Sequence, residues 1–144
     1  MRSDFDLKRD DEALDKLILA TGLQPLMNNA KWVKLLTLLV QQWHLLRECK
    51  VKLIWEGPDV ERWLLLDEDT SYGLDYYDTA VEALISGQPR GWYAYKEIEW
   101  LELLPAPDGK TQHLDLLQQE IDQLGQFRVE RFMDKLRLYA YHRP

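Results

Sequence analysis

An α+β fold with a mainly antiparallel sheet is predicted by three features of the sequence. Apolar residues recur at helical spacing in 11–21, 28–47 and 111–124. Between and after these stretches, apolar and charged residues alternate in short runs bounded by Gly and Pro. Helical and alternating patterns are grouped rather than strictly interleaved, which favours hairpins over a parallel sheet.

The first helix is expected from Asp11 to about Thr21, with Ala13, Leu14, Leu17 and Ile18 on one face. Acidic residues crowd its first turn and Gly22 follows it, matching the helix dipole and a C-terminal cap. Pro25 breaks the chain. Asn28 or Asn29 then caps a stronger helix, expected to run to about Arg47. Trp32, Leu35, Leu36, Leu39, Trp43 and Leu46 form its apolar stripe, which Leu38 and Leu45 widen.

Val51, Leu53 and Trp55 alternate with Lys52, Ile54 and Glu56 up to the turn Gly57-Pro58-Asp59. A second run at Val60–Leu66 makes this a hairpin. Thr79–Ile85 reads as a short helix capped by Asp78 and stopped by Gly87. Gly91–Leu104 reads as a strand or strand pair, ended by Pro105-Ala106-Pro107-Asp108-Gly109. The third helix is expected at Thr111–Leu124, with Leu114, Leu117, Ile121 and Leu124 inward and Gly125 as terminator. For the C-terminal segment the sequence favours a hairpin turning near Met133-Asp134-Lys135 over a helix through Arg131.

The 144 residues fit one domain, with 1–26 a helical extension and 27–144 the core. A hydrophobic share of 46%, including six Trp and seven Tyr, argues against intrinsic disorder. The formal charge of −7 disfavours direct nucleic-acid binding, which depends on Lys and Arg displacing counterions, and favours a basic partner. The single cysteine, Cys49, rules out an intrachain disulfide. The opening Met1-Arg2-Ser3-Asp4-Phe5-Asp6 lacks the apolar core of a signal peptide, and no apolar run approaches the roughly 20 residues that span a bilayer. The expected setting is therefore the cytoplasm, without membrane attachment.

Function is carried most strongly by Asp67-Glu68-Asp69-Thr70-Ser71-Tyr72-Gly73-Leu74-Asp75-Tyr76-Tyr77-Asp78, which holds five carboxylates, three tyrosines and no basic residue. Charge of one sign steers an oppositely charged partner, and tyrosine supplies contact area at low entropic cost. Asp67, Glu68, Asp69, Asp75 and Asp78 are expected to steer, and Tyr72, Tyr76 and Tyr77 to anchor. The competing reading is a solvated loop that keeps the chain soluble.

Other candidates are weaker. His44, Glu48 and Cys49 lie close in sequence, with His44 and Glu48 one helical turn apart, but no paired-His or paired-Cys spacing completes a metal site. His113 and Asp115 open the third helix, and His142 stands alone near the terminus. Alternation sends Glu97 and Glu99 to solvent, leaving Glu102 as a further acid. Trp32, Trp43, Trp55, Trp63 and Trp100 sit at inward-type positions, where aromatics are usually core. Trp92, with Tyr93 and Tyr95, is a candidate ligand platform after the Gly-Gln-Pro turn, against a core reading of the same residues. No catalytic residue, metal site or cofactor is expected; the balance favours a protein that is not an enzyme. The oligomeric state stays open.

Two resemblances add to this. Met27-Asn28-Asn29-Ala30-Lys31-Trp32, Trp92-Tyr93 and Ile98-Glu99-Trp100-Leu101-Glu102 resemble a family of small, uncharacterised bacterial proteins over roughly 27–104 and the terminal hairpin. The resemblance implies a bacterial source and a single domain, and no chemistry. Asp75-Tyr76-Tyr77-Asp78 with its acidic neighbours is similar to the toxin-binding face of colicin nuclease immunity proteins, where carboxylates meet a basic toxin and a tyrosine pair anchors the interface. Those proteins are helical bundles and this chain reads as α+β, so the likeness is one of binding chemistry.

Overall fold

A computed structural model describes the backbone of residues 4–57, 59–60, 62–64, 80–85 and 88–144, with side chains for 12–57, 59–60, 62–64 and 95–144. Helix α1 (Asp4–Thr21) begins earlier than its apolar stripe. It ends in a Schellman motif: Leu23 N–H donates to Ile18 C=O at 3.1 Å and Gly22 N–H to Leu19 C=O at 3.3 Å. Gly22 occupies the left-handed region at φ 70°, which a side chain would disfavour. Leu23, just beyond, is buried with Leu14 in the main core.

Two residues, β1 (Gln24–Pro25), lead to α2 (Asn29–Gln41). Asn28 is the cap: its Oδ1 accepts from Lys31 N–H at 2.8 Å. Replacing Asn28 by Ala leaves that N–H to water and is expected to cost about 1 kcal/mol, read as a lowered denaturant midpoint with an unchanged slope.

Helix α2 stops six residues short of the end its periodicity suggests. A 3₁₀ turn (Trp43–Leu45) follows, and β2 (Leu46–Leu53) starts at once. Pairing explains the switch, because Leu46–Leu53 run antiparallel to β6 (Ile98–Pro105) along nearly their whole length. That ladder satisfies the backbone as a further helical turn would, and it also buries Cys49, Val51 and Leu53.

Strand β3 (Trp63–Leu64) returns along β2, the expected hairpin. The next element corrects the sequence reading: 80–85 is not a helix but β4 (Ala80–Ile85), paired with β3 and with β5 (Gln88–Ala94). A seven-residue helix gains little by itself. Strands β4 and β5 pair from Ala80↔Ala94 to Ile85↔Gln88.

A 3₁₀ turn (Tyr95–Glu97) joins β5 to β6, and another (Pro107–Gly109) leads into α3 (Lys110–Leu124). The C-terminal segment is the favoured hairpin, β7 (Arg128–Arg131) and β8 (Leu136–Tyr139), and β9 (Tyr141–His142) pairs with β1.

The chain is thus an α+β domain whose seven-stranded sheet has the order β5-β4-β3-β2-β6-β8-β7, every neighbouring pair antiparallel. One face of its β2-β6-β8 centre is apolar: Val51, Leu53, Leu101, Leu103, Leu136 and Leu138 form one core with Leu35, Leu36 and Leu39 of α2 and Leu114, Leu117 and Ile121 of α3. Among the described residues no helix is long and apolar enough to cross a membrane.

Candidate functional site

The acidic-tyrosine residues Asp67, Glu68, Asp69, Tyr72, Asp75, Tyr76, Tyr77 and Asp78 lie outside the described residues. Their place in the chain is nonetheless defined. They connect β3 to β4, which are antiparallel neighbours paired at Trp63↔Leu84 and Leu64↔Ala83. Of the candidate platform, Trp92 and Tyr93 belong to β5, and their side chains are outside the description. Tyr95 is a core residue, 2% exposed and stacked on Trp32 with ring centroids 5.4 Å apart, so it does not offer a surface to a ligand.

Because successive strand residues face opposite sides, the face away from α2 and α3 can be read from the register. One cross-strand row runs Trp63, Lys50, Glu102, Arg137, Glu130 over five adjacent strands, β3 to β7. The next runs Lys52, Trp100, Tyr139, Arg128. From Lys50 to Glu130 the first row alternates in sign, and each of these contacts is a cross-strand pair of the stabilising kind. Glu102 accepts from Arg137 Nε at 2.8 Å and Nη2 at 2.6 Å, and Lys135 approaches it at 3.1 Å. The Arg137 guanidinium lies 4.4 Å from the Trp100 ring centroid and 5.1 Å from that of Phe132, close enough for cation–π attraction. Tyr139 Oη donates to Glu130 at 2.5 Å. Burial first, and then this hydrogen bond, raise the pKa of the Tyr139 phenol.

Alternation misplaces the strand acids. Glu97 is fully buried and Glu99 is 7% exposed, although alternation with Ile98 and Trp100 sends both to solvent; with Leu101 and Leu103 inward, an undistorted β6 would put Glu99 on their apolar face. Glu97 sits in the 3₁₀ turn and accepts from Trp55 Nε1 at 3.1 Å. Glu99 is the extra residue of a β-bulge, since Lys52 pairs with Trp100 and Leu53 with Ile98. A bulge re-aims a side chain. Here it turns the carboxylate onto Lys52 Nζ at 2.6 Å and Arg143 Nη2 at 2.7 Å. Burial alone would raise the pKa of Glu99, but the hydrogen bonds and charges of Arg143 and Lys52 outweigh it and hold the carboxyl below its ordinary value.

These groups line an open depression of about 620 Å³, with Trp55, Trp100, Lys52, Glu99, Arg137 and Arg143 on its walls. Trp55, expected inward, is 46% exposed at its rim, and Trp43 is likewise exposed beside α2. Both follow the last residue of a regular element, where periodicity no longer sets direction. Of the other tryptophans Trp32 is core, and Trp63 and Trp100 are half-buried on the charged face.

Comparison with known protein families, with curated proteins and with solved structures finds no match for this chain. What it can do must come from its own geometry.

That geometry suits recognition better than proton transfer. The charged side chains of the depression are balanced within it or by immediate neighbours: Glu99 by Lys52 and Arg143, Arg137 by Glu102, and Glu56 by Arg62. A general acid or base works best with a pKa near the working pH, and Glu99 is driven the other way. Cys49 is buried, and desolvation raises its thiol pKa far from a reactive thiolate. His44 lies in the 3₁₀ turn and Glu48 in β2, so they do not share a helix face. Glu48 instead accepts from Trp63 Nε1 at 3.1 Å. Asp115 of α3 pairs with Arg131 at 2.8 Å. His142 contacts Arg128 at 2.9 Å. Among the described residues no three His, Cys, Asp or Glu side chains cluster as metal ligands.

The buried ion pairs were missed because the sequence shows acids in β6 and bases in β2 and β8 without showing that these strands are neighbours. Their signal is the matched spacing of Lys50 and Lys52 with Trp100 and Glu102, legible only once β2 and β6 are aligned.

Proposed function

We propose that the chain is a non-enzymatic protein-binding protein of the cytoplasm. Most specifically, it would neutralise a basic bacterial toxin in the manner of an immunity protein. The reading rests on one observation: the five carboxylates and three tyrosines of Asp67–Asp78, with no basic residue among them, connect two adjacent antiparallel strands. Asp67, Glu68, Asp69, Asp75 and Asp78 steer the encounter, and Tyr72, Tyr76 and Tyr77 anchor the bound state. The net charge of −7 supports a basic partner and disfavours nucleic acid. The ion-paired state of the depression supports a binding rather than a catalytic role.

The test is affinity capture from the native host with the wild-type chain and a variant carrying Asp75→Lys, Tyr76→Ala and Tyr77→Ala, after both are shown to fold. A basic protein held stoichiometrically by wild type and lost by the variant is expected. Each central tyrosine should contribute at least roughly 2 kcal/mol. Reversal of Asp75 alone should chiefly slow association and flatten its salt dependence. Capture of the same partner equally by both chains would sink this reading.

A second reading is a small-molecule-binding domain or enzyme, which the sequence centres on a pocket near Trp92. The observation that favours it lies elsewhere, in the open depression walled by Trp55, Trp100 and Arg143. A third, a subunit of a larger assembly, bears on β7, the terminal strand of the described sheet.

A further inference from the structure

We propose that the chain forms a two-fold symmetric dimer in which β7 pairs antiparallel with β7 of a second copy, continuing the sheet across the axis. Strand β7 is the terminal strand of the seven. Its pairing with β8 leaves a defined set of backbone groups pointing outward. Phe132 N–H donates to Lys135 C=O at 2.9 Å, and the register continues Arg131↔Leu136, Glu130↔Arg137, Val129↔Leu138, Arg128↔Tyr139. Hydrogen-bonded and non-hydrogen-bonded pairs alternate along such a ladder. Glu130 and Arg128 therefore bond to β8, and the N–H and C=O groups of Val129 and Arg131 point off the sheet. No described residue forms a backbone hydrogen bond to them.

The side chains of β7 select one partner register. Centring the two-fold axis on Val129 opposes Val129 to its own copy through a hydrogen-bonded pair and sets Arg128 against Glu130 of the second copy, twice. Centring it on Arg128 opposes arginine to arginine, centring it on Glu130 opposes glutamate to glutamate, and centring it on Arg131 opposes Arg131 to itself. Like charges directly opposite are destabilising, so the Val129 register is the complementary one. It also continues the pattern of the charged face: the row Lys50, Glu102, Arg137, Glu130 alternates in sign across four strands and would meet Arg128 of the second copy next. Arg131, on the opposite face, is held by its own α3 through Asp115 at 2.8 Å and Gln118 at 3.2 Å.

Edges are kept from pairing by proline, a bulge, shortness or charged side chains, and charges protect only where a second strand cannot match them. Strand β7 has no proline and pairs with β8 without a register shift, and its charges are mixed. Four residues make a short interface, so the dimer should be concentration-dependent.

Sedimentation equilibrium tests this on four chains: wild type, Arg128→Glu, Glu130→Arg and Val129→Pro. Proline removes an N–H that the fold does not use and is tolerated at edges, and circular dichroism confirms that each chain folds. A monomer–dimer equilibrium is expected for wild type, weakened at least about tenfold in each variant. An equimolar mixture of Arg128→Glu and Glu130→Arg restores both opposite-charge pairs and should dimerise more tightly than either alone. A wild-type chain that stays monomeric at the highest concentration it tolerates overturns the proposal. So does a dimer indifferent to both charge reversals, or a mixture no tighter than its parents.

Discussion

Replacing Lys52 by methionine is expected to destabilise the protein by about 3 kcal/mol, the lower end of what breaking a buried ion pair costs. Lys52 is 8% exposed and bonds to Glu99 at 2.6 Å. Methionine keeps most of the stem volume but leaves Glu99 only Arg143, whose side chain is partly in water and so cannot fully compensate. Glu99→Gln on the same background should recover part of the loss, because the carboxylate no longer has to be buried short of a partner. The pH dependence separates this cause from lost packing. In wild type the folded-state pKa of Glu99 is depressed, so its contribution is present above the unfolded-state pKa and is lost as pH falls through the folded value. Without Lys52 the burial penalty is less opposed and the folded-state pKa rises. The gap between the two chains should therefore be widest near neutral pH and close on acidification. Urea titrations from pH 7 down to the acid limb measure it. A gap that stays constant with pH would assign the loss to packing.

Leu101→Ala is expected to cost about 4 kcal/mol, within the range for deleting a buried leucine side chain. Leu101 is fully buried on the interior strand β6, with Val51 and Leu138 as its cross-strand neighbours. Strands on both sides and helices above leave little freedom to collapse into the space. Leu116→Ala on α3 is the control: its side chain is 40% exposed, and the change should fall within roughly 0.5 kcal/mol of wild type. Chemical denaturation of both chains checks the pair, and similar losses would mean that the core is not where the fold places it.

Much of the architecture is legible in the sequence. The periodicity of Leu35, Leu36 and Leu39 and of Leu114, Leu117 and Ile121 identifies two core helices, and each meets the sheet through those residues. Gly57-Pro58-Asp59 and Met133-Asp134-Lys135 mark two hairpins, and both form. Legibility failed where local pattern competes with pairing. Leu45 and Leu46 continue the helical stripe of α2, yet the chain leaves the helix because β6 offers Leu46–Leu53 a complete ladder. Thr79–Ile85 reads as a short helix, and pairing with β3 and β5 makes Ala80–Ile85 a strand instead.

The candidate binding segment is a statement of sequence: acids and tyrosines concentrated between two runs of strand-like residues, independent of how the chain folds. The charged face is the reverse case. No local rule buries Glu97, Glu99 and Glu102, since an isolated strand would leave such acids in water. The sheet order brings Lys52 and Arg143 to Glu99 and Arg137 to Glu102 from segments far apart in the chain, and a one-residue bulge turns Glu99 into reach. Composition and periodicity thus determined the fold class, the helices and the charge of the surface, because those depend on neighbours along the chain. Which charges are buried, and which strand ends the described sheet, was decided by tertiary pairing alone, because it depends on residues that meet only when the sheet is assembled.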